Sequence, residues 1–219
     1  TTSGLGRLRN VTNSSQPQQP RRVGILLHPA RPEAIDVAEK FVQGTIGTGI
    51  TCVGFGDRIA ELRERVRDVT IEQGVLGDPG PLELMVVFGG DGTILWAAEG
   101  VVPRGVPLLG VNLGHVGFLA ELESHDVHKL VQQVVERHYT VEERLTLDVE
   151  VVDPEGHQIW SSFAVNEVSL EKAAREKMLD VLVEIDHLPV SRWSCDCMLV
   201  STPTGSTAYA FSLGGPVIW

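Results

Sequence analysis

The sequence has few cysteines, an excess of acidic over basic residues and no long apolar run, and each shortage excludes a class of protein. Three cysteines in 219 residues cannot form a disulfide framework, and free thiols favour a cytoplasmic protein. No apolar run approaches the roughly 20 residues that a membrane-spanning helix needs, so we expect no membrane partner. Lys and Arg number 18 against 29 Asp and Glu, a net charge of −11, which argues against a nucleic-acid partner.

We predict that the chain has three parts, and the first two differ sharply in composition. Residues 1–21 are rich in Ser, Thr, Asn, Gln and Pro and predict a disordered segment. Residues 22–140 alternate apolar runs with helical patterns, which is typical of a doubly wound, Rossmann-like α/β domain. Strands are predicted at 22–28, 50–55, 84–88 and 106–112, and helices at 32–42, 58–69, 93–99 and around 127–135.

The third part, residues 141–219, alternates apolar and polar side chains one by one. The alternation runs through 145–151 and 179–185, with further strands predicted at 159–165 and 198–200. It indicates an antiparallel, sandwich-like β domain. The chain stops at Trp219 within such a pattern, and several strands lack an evident partner, so we expect this domain to be truncated at its C-terminal end.

The stretch that first indicates chemistry is PLELMVVFGGDGTIL, residues 81–95. The run 84–88 predicts a buried strand, and Gly89 and Gly90 allow a sharp turn and close approach of a ligand to the backbone. A helix is predicted over 93–99, ended by Gly100. Backbone N–H groups at such a turn attract phosphate. No GxxxxGK[ST] loop is present, so this turn must hold any bound nucleotide instead.

Asp91 is unexpected in a phosphate-binding turn because a carboxylate repels phosphate. Its presence is explained if it handles a metal ion or accepts a proton from a hydroxyl nucleophile. The alternative is structural: Asp91 caps the helix in an ordinary Asp-Gly turn.

Two polar motifs stand out in the β domain. Asn166 and Glu167 lie at the end of a predicted strand, where they could bind ribose hydroxyls or a base edge, or simply form the polar edge of a hairpin. The run STPTGSTAY, residues 201–209, places hydroxyl side chains around Pro203 and Gly205 directly after a buried strand. That composition suits a polar ligand better than it suits stability alone.

GGDGT at 89–93, Asn166-Glu167 and STPTGSTAYAFSLGGP at 201–216 together resemble the NAD kinase family of bacterial type. The resemblance covers residue 22 to the end and includes LGVNLG at 109–114, GFLAE at 117–121 and RLTL at 144–147. Phosphofructokinases and diacylglycerol-type lipid kinases carry relatives of GGDGT, so a lipid or sugar kinase is a rival interpretation. The combination of motifs in this order favours the NAD kinases.

The resemblance implies a kinase that transfers the γ-phosphoryl group of ATP to the 2′-hydroxyl of the adenosine ribose of NAD, giving NADP and ADP. It implies Mg²⁺ or another divalent cation as cofactor, Asp91 as the proton acceptor, and a cytoplasmic homodimer or homotetramer. The implied phosphate loop of the ATP site comprises Gly89, Gly90, Gly92 and Thr93. The implied NAD-binding residues are Asp91, Gly92, Trp96, Asn166, Glu167, Lys177, Asp196, Thr207, Ala208, Tyr209 and Ser212.

Several positions depart from the family pattern. Trp96 replaces a basic or polar residue and either stacks on a base or packs against the fold. Cys197 follows Asp196 where the family usually has glycine, and Ser194 stands where some members have arginine. These departures leave open a catalytically impaired, dinucleotide-binding protein or fragment. Cys195 and Cys197 have no second cysteine pair, so we expect no metal site made by protein side chains alone.

Overall fold

A computed structural model describes residues 20–113, 119, 122–123, 126–174 and 177–219. Residues 1–19 of the predicted disordered segment lie outside the described residues, as do residues 114–118 and 120–121 of the family motifs. Arg21, predicted to belong to that segment, instead begins the first strand. Its guanidinium donates to Glu83 at 2.8 Å and to the carbonyls of Val134 and Val135 at 2.6 and 2.7 Å. No helix in the described ranges is long and apolar enough to cross a membrane.

The first half of the chain alternates strands and helices. Their bounds are β1 (Arg21–Leu27), α1 (Glu33–Gly44), β2 (Ile50–Phe55), α2 (Ile59–Arg65), β3 (Ile71–Gln73), β4 (Leu84–Phe88), α3 (Asp91–Val101), β5 (Leu108–Asn112), β6 (Leu122–Glu123) and α4 (Val127–Glu136). The predicted bounds of β2 and β4 are confirmed. Helix α2 is shorter than predicted because the chain leaves the helix at Val66 and enters β3, which pairs with β2.

The strands of this half form a six-stranded parallel sheet in the order β3-β2-β1-β4-β5-β6. This order confirms the predicted doubly wound α/β fold. The direction of winding reverses between β1 and β4, which pair in register from Val23–Leu84 to Leu27–Phe88. In such sheets ligands bind beyond the C-terminal ends of the strands at this switch point, so the loops after β1 and β4 are the ones to examine.

Two apolar layers cover the sheet. Phe41 of α1 and Leu130 of α4 pack on the face that holds Ile25, whereas Val101 of α3 packs on the face that holds Leu26. Successive strand residues thus point to opposite layers, as the period of a strand requires. Because the central strands are buried on both faces, the loops at their ends project from a rigid frame.

Helix α3 differs from its predicted form at both ends. It begins at Asp91, two residues earlier than predicted, and continues through Gly100 to Val101. The prediction that Gly100 ends the helix is therefore wrong. A Cβ at Gly100 would lie 2.3 Å from the carbonyl oxygen of Leu76, so glycine is required there for close packing rather than for a turn.

The second half consists of strands joined by short turns. Their bounds are β7 (Leu147–Val152), β8 (Gln158–Ala164), β9 (Glu167–Glu171), β10 (Leu179–Ile185), β11 (Leu188–Cys195) and β12 (Cys197–Ser201), followed by a 3₁₀ turn (Thr204–Thr207) and α5 (Tyr209–Ser212). The predicted antiparallel character is confirmed. Among the described residues the strands pair as three separate ribbons, β7 with β8, β9 with β12 and β10 with β11.

These ribbons bury little apolar surface. Trp160 and Trp193 are 53% and 51% exposed. In contrast, the buried apolar side chains of the described residues lie between Val23 and Val134, with Ala210 as the one exception among them. The domain boundary predicted near residue 140 falls in the segment between α4 and β7, and it stays a prediction.

Candidate active site

A cleft of about 450 Å³ lies at the switch point of the sheet. One wall is the loop after β1, with His28, Pro29 and Arg31, and the other wall is the start of α3. The two loops are joined where the backbone N–H of His28 donates to the carbonyl of Phe88 at 2.9 Å. The sheet therefore places the GGDGT turn beside a loop that carries a cationic side chain.

The glycines of GGDGT have different structural roles. Gly90 is the N-cap of α3, with extended backbone and no side-chain cap. A Cβ at Gly90 or Gly92 would meet no atom of the described residues within 4 Å, which leaves space for a ligand beside the backbone. A Cβ at Gly89 would instead lie 2.6 Å from the hydroxyl oxygen of Thr93, which is 5% exposed. The turn thus presents the N-terminal N–H groups of a helix to the cleft, as phosphate binding requires.

The carboxylate of Asp91 contacts a loop far away in the sequence rather than capping its own helix. Its Oδ1 atom accepts a hydrogen bond from the backbone N–H of Leu119 at 3.1 Å. Leu119 and Val165 both line a largely apolar cavity of about 250 Å³ next to residues 139–146. Asp91 therefore borders the cleft, and its carboxylate also contacts Leu119, which faces the second half of the chain. The alternative of a purely capping role is wrong.

Thr202 joins the two polar motifs of the second half. Its hydroxyl lies 2.7 Å from the carbonyl of Val165 and 3.0 Å from that of Asn166, and it accepts a hydrogen bond from the N–H of Gly205 at 3.0 Å. The N–H of Thr202 donates to Asn166 at 2.9 Å. Because Thr202 is 1% exposed, a single buried side chain holds the STPTG loop against Asn166.

Gly205 makes the close approach of these motifs possible. A Cβ at this position would lie 2.0 Å from the carbonyl oxygen of Asn166, a distance that no side chain could adopt. Strand pairing brings the same segments together, because Ser201 of β12 lies opposite Glu167 of β9. The structure thus places the two predicted motifs in one corner.

Asn166 lies in this corner between β8 and β9, and Glu167 is the first residue of β9. The Oδ1 atom of Asn166 and the Oε2 atom of Glu167 are buried without a hydrogen-bond partner in the part of the chain that the structure describes. Burial also raises the pKa of Glu167 above its usual value. Buried acceptors of this kind are rare unless something supplies the donor, and the hydroxyl groups of a sugar are suitable donors.

The remaining residues implied for NAD binding lie around this corner. Asp196 is the single residue between β11 and β12, and its carboxylate pairs with Nζ of Lys172 at 2.5 Å. Lys177 is exposed, and its place as a contact of NAD stays a prediction. Further along the chain from Gly205, Thr207 and Ala208 are half-buried, and Tyr209 and Ser212 are exposed.

Trp96 lines the cleft with His28 and Arg31 rather than the corner at Asn166. Its ring lies over Gly56 after β2, where a Cβ would be 3.3 Å from the Cη2 atom of the ring. The residue is nevertheless 39% exposed. The edge of the Trp96 ring contacts the fold while part of the ring remains accessible from the cleft. Trp96 can therefore both pack against the fold and stack on a base.

Metal-ligating side chains are sparse in the described ranges. No group of three or more His, Cys, Asp or Glu side chains there is arranged to hold a metal ion. Cys52, Cys195 and Cys197 are free thiols.

The sequence alone did not indicate several residues that the structure adds to the cleft and to the corner at Asn166. The loop with His28 and Arg31 carries no recognisable motif, although its position after an apolar strand at a switch point is a usable signal. Thr202 was quoted only as part of a motif, and Lys172 only becomes relevant through its contact with Asp196. Such contacts join residues far apart in the sequence, so spacing alone does not reveal them.

Two domain models match the chain. Residues 23–139 match the ATP-NAD kinase N-terminal domain, and residues 165–219 match the ATP-NAD kinase C-terminal domain. The NAD kinase of Cutibacterium acnes is 52% identical over 216 residues, which cover 98% of this chain and 67% of that protein.

Solved structures show the same fold. The crystal structure of yeast NADH kinase complexed with NADH matches with a TM-score of 0.79 at 23% identity, over 92% of this chain and 63% of that chain. An NAD kinase from Archaeoglobus fulgidus in complex with ATP matches with a TM-score of 0.59 at 24% identity, over 90% and 67% of the two chains. This chain spans about two thirds of the length of these relatives. It belongs to the ATP-NAD kinase family.

Proposed function

We propose that this chain carries an NAD kinase activity, which transfers the γ-phosphoryl group of ATP to the 2′-hydroxyl of the adenosine ribose of NAD and gives NADP and ADP. The observation that supports this proposal best is the position of Asp91. It begins α3 at the edge of the cleft and is hydrogen-bonded to Leu119, which faces the second half of the chain. A base between a phosphate-binding turn and a sugar-binding corner suits direct transfer between two bound nucleotides.

In the proposed reaction Asp91 accepts the proton of the 2′-hydroxyl while the hydroxyl oxygen attacks the γ-phosphorus of ATP. The bond from the γ-phosphorus to the bridging oxygen breaks, and ADP leaves with the electron pair. In the turn formed by Gly89, Gly90, Gly92 and Thr93, the N–H groups of Gly89 and Thr93 donate to the carbonyls of Val111 and Gly90. We therefore assign the phosphate contacts to the N–H groups of Gly90 and Gly92. Catalysis is then mainly positioning and charge neutralisation, which needs little covalent chemistry from the protein.

The residues of the cleft fit a divalent cation that is bound largely by the nucleotide. Mg²⁺ usually keeps several waters and is held by one or two carboxylates together with substrate phosphates. Asp91 is the carboxylate that lines the cleft within the described ranges, and no larger cluster of ligating side chains is found there. When bound, the cation would neutralise charge on the phosphates.

We assign the dinucleotide to the corner at Asn166 and Glu167. The unpartnered acceptors of both side chains can each accept a hydrogen bond from a ribose hydroxyl. The paired carboxylate of Asp196 and the exposed ring of Tyr209 lie on segments that adjoin this corner. Gly92 and Lys177 stay predictions as contacts of NAD, and the further residues proposed there are Thr207, Ala208 and Ser212.

The test is NADP formation from NAD, ATP and Mg²⁺, followed for the wild type beside Asp91→Asn. We expect product from the wild type and a decrease in kcat of about 10²- to 10⁴-fold in the variant, the usual contribution of a general base. NAD binding by both proteins without any NADP would instead assign a dinucleotide-binding protein without turnover. Phosphorylation of a lipid or sugar in preference to NAD would support the rival kinase classes.

The proposed assembly is a homodimer or homotetramer, supported by the exposed apolar side chains on the ribbons, such as Trp160 and Trp193. Light scattering at micromolar concentration should give a mass at least twice that of the chain, and a monomer would contradict this.

The proposed location is the cytoplasm, supported by the free thiols, which a reducing compartment preserves. Alkylation of all the cysteines in freshly lysed cells without prior reduction would agree with it.

A further inference from the structure

Glu83, which lies directly before β4, joins three parts of the chain through one carboxylate. It accepts hydrogen bonds from Nε of Arg21 at 2.8 Å, from Nη2 of Arg137 at 3.0 Å and from the hydroxyl of Tyr139 at 2.9 Å. The backbone of Glu83 is itself held by the sheet, because its N–H donates to the carbonyl of Arg22 in β1 at 2.8 Å. Glu83 is therefore a fixed point to which the chain beyond α4 is attached.

Tyr139 begins the linker between the two halves of the chain, which we define as residues 139–146. Tyr139 is half-buried, whereas residues 140–145 are exposed. Within the described ranges, no backbone hydrogen bond outside the helices and strands involves the linker. Among the side-chain hydrogen bonds of the described residues, the one from Tyr139 to Glu83 ties the linker to the first half, whereas Arg144 donates to Glu142 within the linker.

The linker is not packed closely against the helix that Asp91 begins. The largely apolar cavity of about 250 Å³ has the linker on one side, with Val141 in its wall, and α3 on the other, with Ala98 in its wall. Protein interiors contain few voids larger than a water molecule. Apolar packing therefore does little to fix the linker at this place, and the hydrogen bond from Tyr139 has that role instead.

The position of the linker bears on the distance between the proposed base and the proposed sugar-binding corner. Val165, which precedes Asn166, lines the same cavity, and Asp91 is the first residue of α3. The cavity and the linker thus lie between α3 and the segment that carries the corner. Phosphoryl transfer depends on alignment, and a misplacement of about 1 Å can cost about a hundredfold in rate.

We propose that Tyr139 is a positioning residue, whose hydrogen bond to Glu83 anchors the linker and thereby sets the position of the Asn166 corner relative to Asp91. The inference rests on the proposed kinase function and adds to it a residue that contacts neither nucleotide. Burial and the hydrogen bond to Glu83 raise the pKa of Tyr139, so its hydroxyl keeps the proton that it donates at neutral pH.

The chain offers a matched control for this role. Arg137 donates to the same carboxylate, but it caps the end of α4. That helix is held by apolar contacts of its own, because Leu130 and Val134 belong to the core beside the sheet. Loss of the hydrogen bond from Arg137 should therefore leave the linker anchored, whereas loss of the one from Tyr139 should release it.

The first test compares the kinetics and binding of Tyr139→Phe, which removes only the hydroxyl, with those of Arg137→Gln. Tyr139→Phe should lower the kcat of NADP formation about tenfold through misalignment. The dissociation constants of NAD and of ATP with Mg²⁺, measured by calorimetry, should stay within about twofold because both sites keep their own residues. Arg137→Gln should leave kcat and both dissociation constants within about twofold of the wild type.

The second test does not depend on turnover. Trypsin cleaves after Arg144, an exposed residue of the linker, and mass spectrometry identifies the fragments that end there. Release of the anchor should raise the initial rate of this cleavage about fivefold in Tyr139→Phe, the equivalent of one hydrogen bond. Arg137→Gln should be cleaved there at the rate of the wild type.

The two tests separate this inference from the proposed function. A wild type that forms no NADP contradicts the kinase activity, and faster cleavage of Tyr139→Phe at Arg144 would still support the anchor. A wild type that forms NADP, with unchanged kcat in Tyr139→Phe, overturns the positioning role. Equal losses of kcat in Tyr139→Phe and Arg137→Gln also overturn it, because the cause would then be the environment of Glu83 rather than the linker. Loss of NAD affinity with unchanged kcat in Tyr139→Phe overturns it too, since the residue would then act in binding.

Discussion

The carboxylate of Asp91 accepts a hydrogen bond from the backbone N–H of Leu119 at 3.1 Å, although the two residues are 28 positions apart in the sequence. The first residue of α3 is thereby tied to the segment that follows β5. One side chain consequently has two tasks, the proposed proton transfer and the anchoring of a loop. Substitutions that differ only in the ability to accept a hydrogen bond can separate these tasks.

Asp91→Asn and Asp91→Ala should both lose catalysis but differ in stability. Asparagine retains an oxygen that can accept from Leu119, so its free energy of unfolding should match that of the wild type within about 0.5 kcal/mol. Alanine leaves the N–H of Leu119 without this acceptor, and the free energy of unfolding should decrease by about 1 kcal/mol. Urea unfolding at pH 7 measures both. Equal stability of the two variants would show that the hydrogen bond is not made in solution.

Thr202→Val should weaken NAD binding, although Thr202 itself is not among the residues proposed to contact NAD. Valine has the shape of threonine but cannot donate to the carbonyls of Val165 and Asn166 or accept from Gly205. Burying these groups unsatisfied costs about 1–3 kcal/mol, so we expect the STPTG loop to loosen and NAD affinity to decrease at least tenfold in calorimetry. Thr202→Ser keeps the hydroxyl and is the control, with near wild-type affinity. Wild-type affinity in the valine variant would contradict the role of this hydroxyl.

Gly205→Ala tests the close approach of the two motifs. The new Cβ would lie 2.0 Å from the carbonyl oxygen of Asn166, so the loop or the corner must shift. We expect NAD affinity to decrease more than tenfold while the ATP affinity of the cleft stays within twofold. Gly77→Ala adds a methyl group where no atom of the part of the chain that the structure describes lies within 4 Å, and this variant should bind both nucleotides normally. A Gly205→Ala variant with unchanged NAD affinity would place the dinucleotide elsewhere.

Glu83 should make the stability of the fold depend on pH in the acid range. The hydrogen bond from Arg21 is the largest cause that lowers its pKa from 4.5 to about 2, with further hydrogen bonds from Arg137 and Tyr139. Since the folded pKa lies below the unfolded one, the stabilisation is complete above about pH 5 and disappears as the pH falls towards 2. Because solvent screens this partly exposed carboxylate, the shift contributes at most about 2 kcal/mol at neutral pH.

Glu83→Gln removes this dependence. The free energy of unfolding from urea titrations should be lower than that of the wild type at pH 7, and the difference should shrink between pH 4.5 and 2.5. Glu99→Gln, on the exposed side of α3, is the matched control and should follow the wild type at every pH. A constant difference between Glu83→Gln and the wild type would exclude the ionisation of Glu83 as the cause.

The sequence predicted the central sheet well because strands buried on both faces are continuous apolar runs. β2 and β4 were placed to the residue for this reason. β3 has three residues, too few for a pattern. β11 contains Pro189 and mostly exposed side chains, which hide the alternation of a half-buried strand. Gly100 was misread because the close contact with Leu76 is a property of the packed fold.

Candidate site residues could be predicted where chemistry is concentrated in a short motif. Asp91 and the pair Asn166-Glu167 stood out by residue type alone. Their partners did not, because Leu119 and Thr202 act through contacts that the topology creates between distant segments. The placement of Trp96 in the cleft likewise depends on the rotation of α3 relative to the sheet, which no local pattern specifies.

The concentration of buried apolar side chains between Val23 and Val134 has a consequence for how the molecule opens. Amide hydrogens of β1 and β4 should exchange with solvent only through global unfolding, whereas those of the ribbons should exchange through local opening at low free energy. A ligand that binds only the closed corner stabilises it by RT ln(1 + [L]/Kd). Binding of the dinucleotide at the proposed site should therefore slow exchange in the ribbons, where the ligand would take the place of an apolar core.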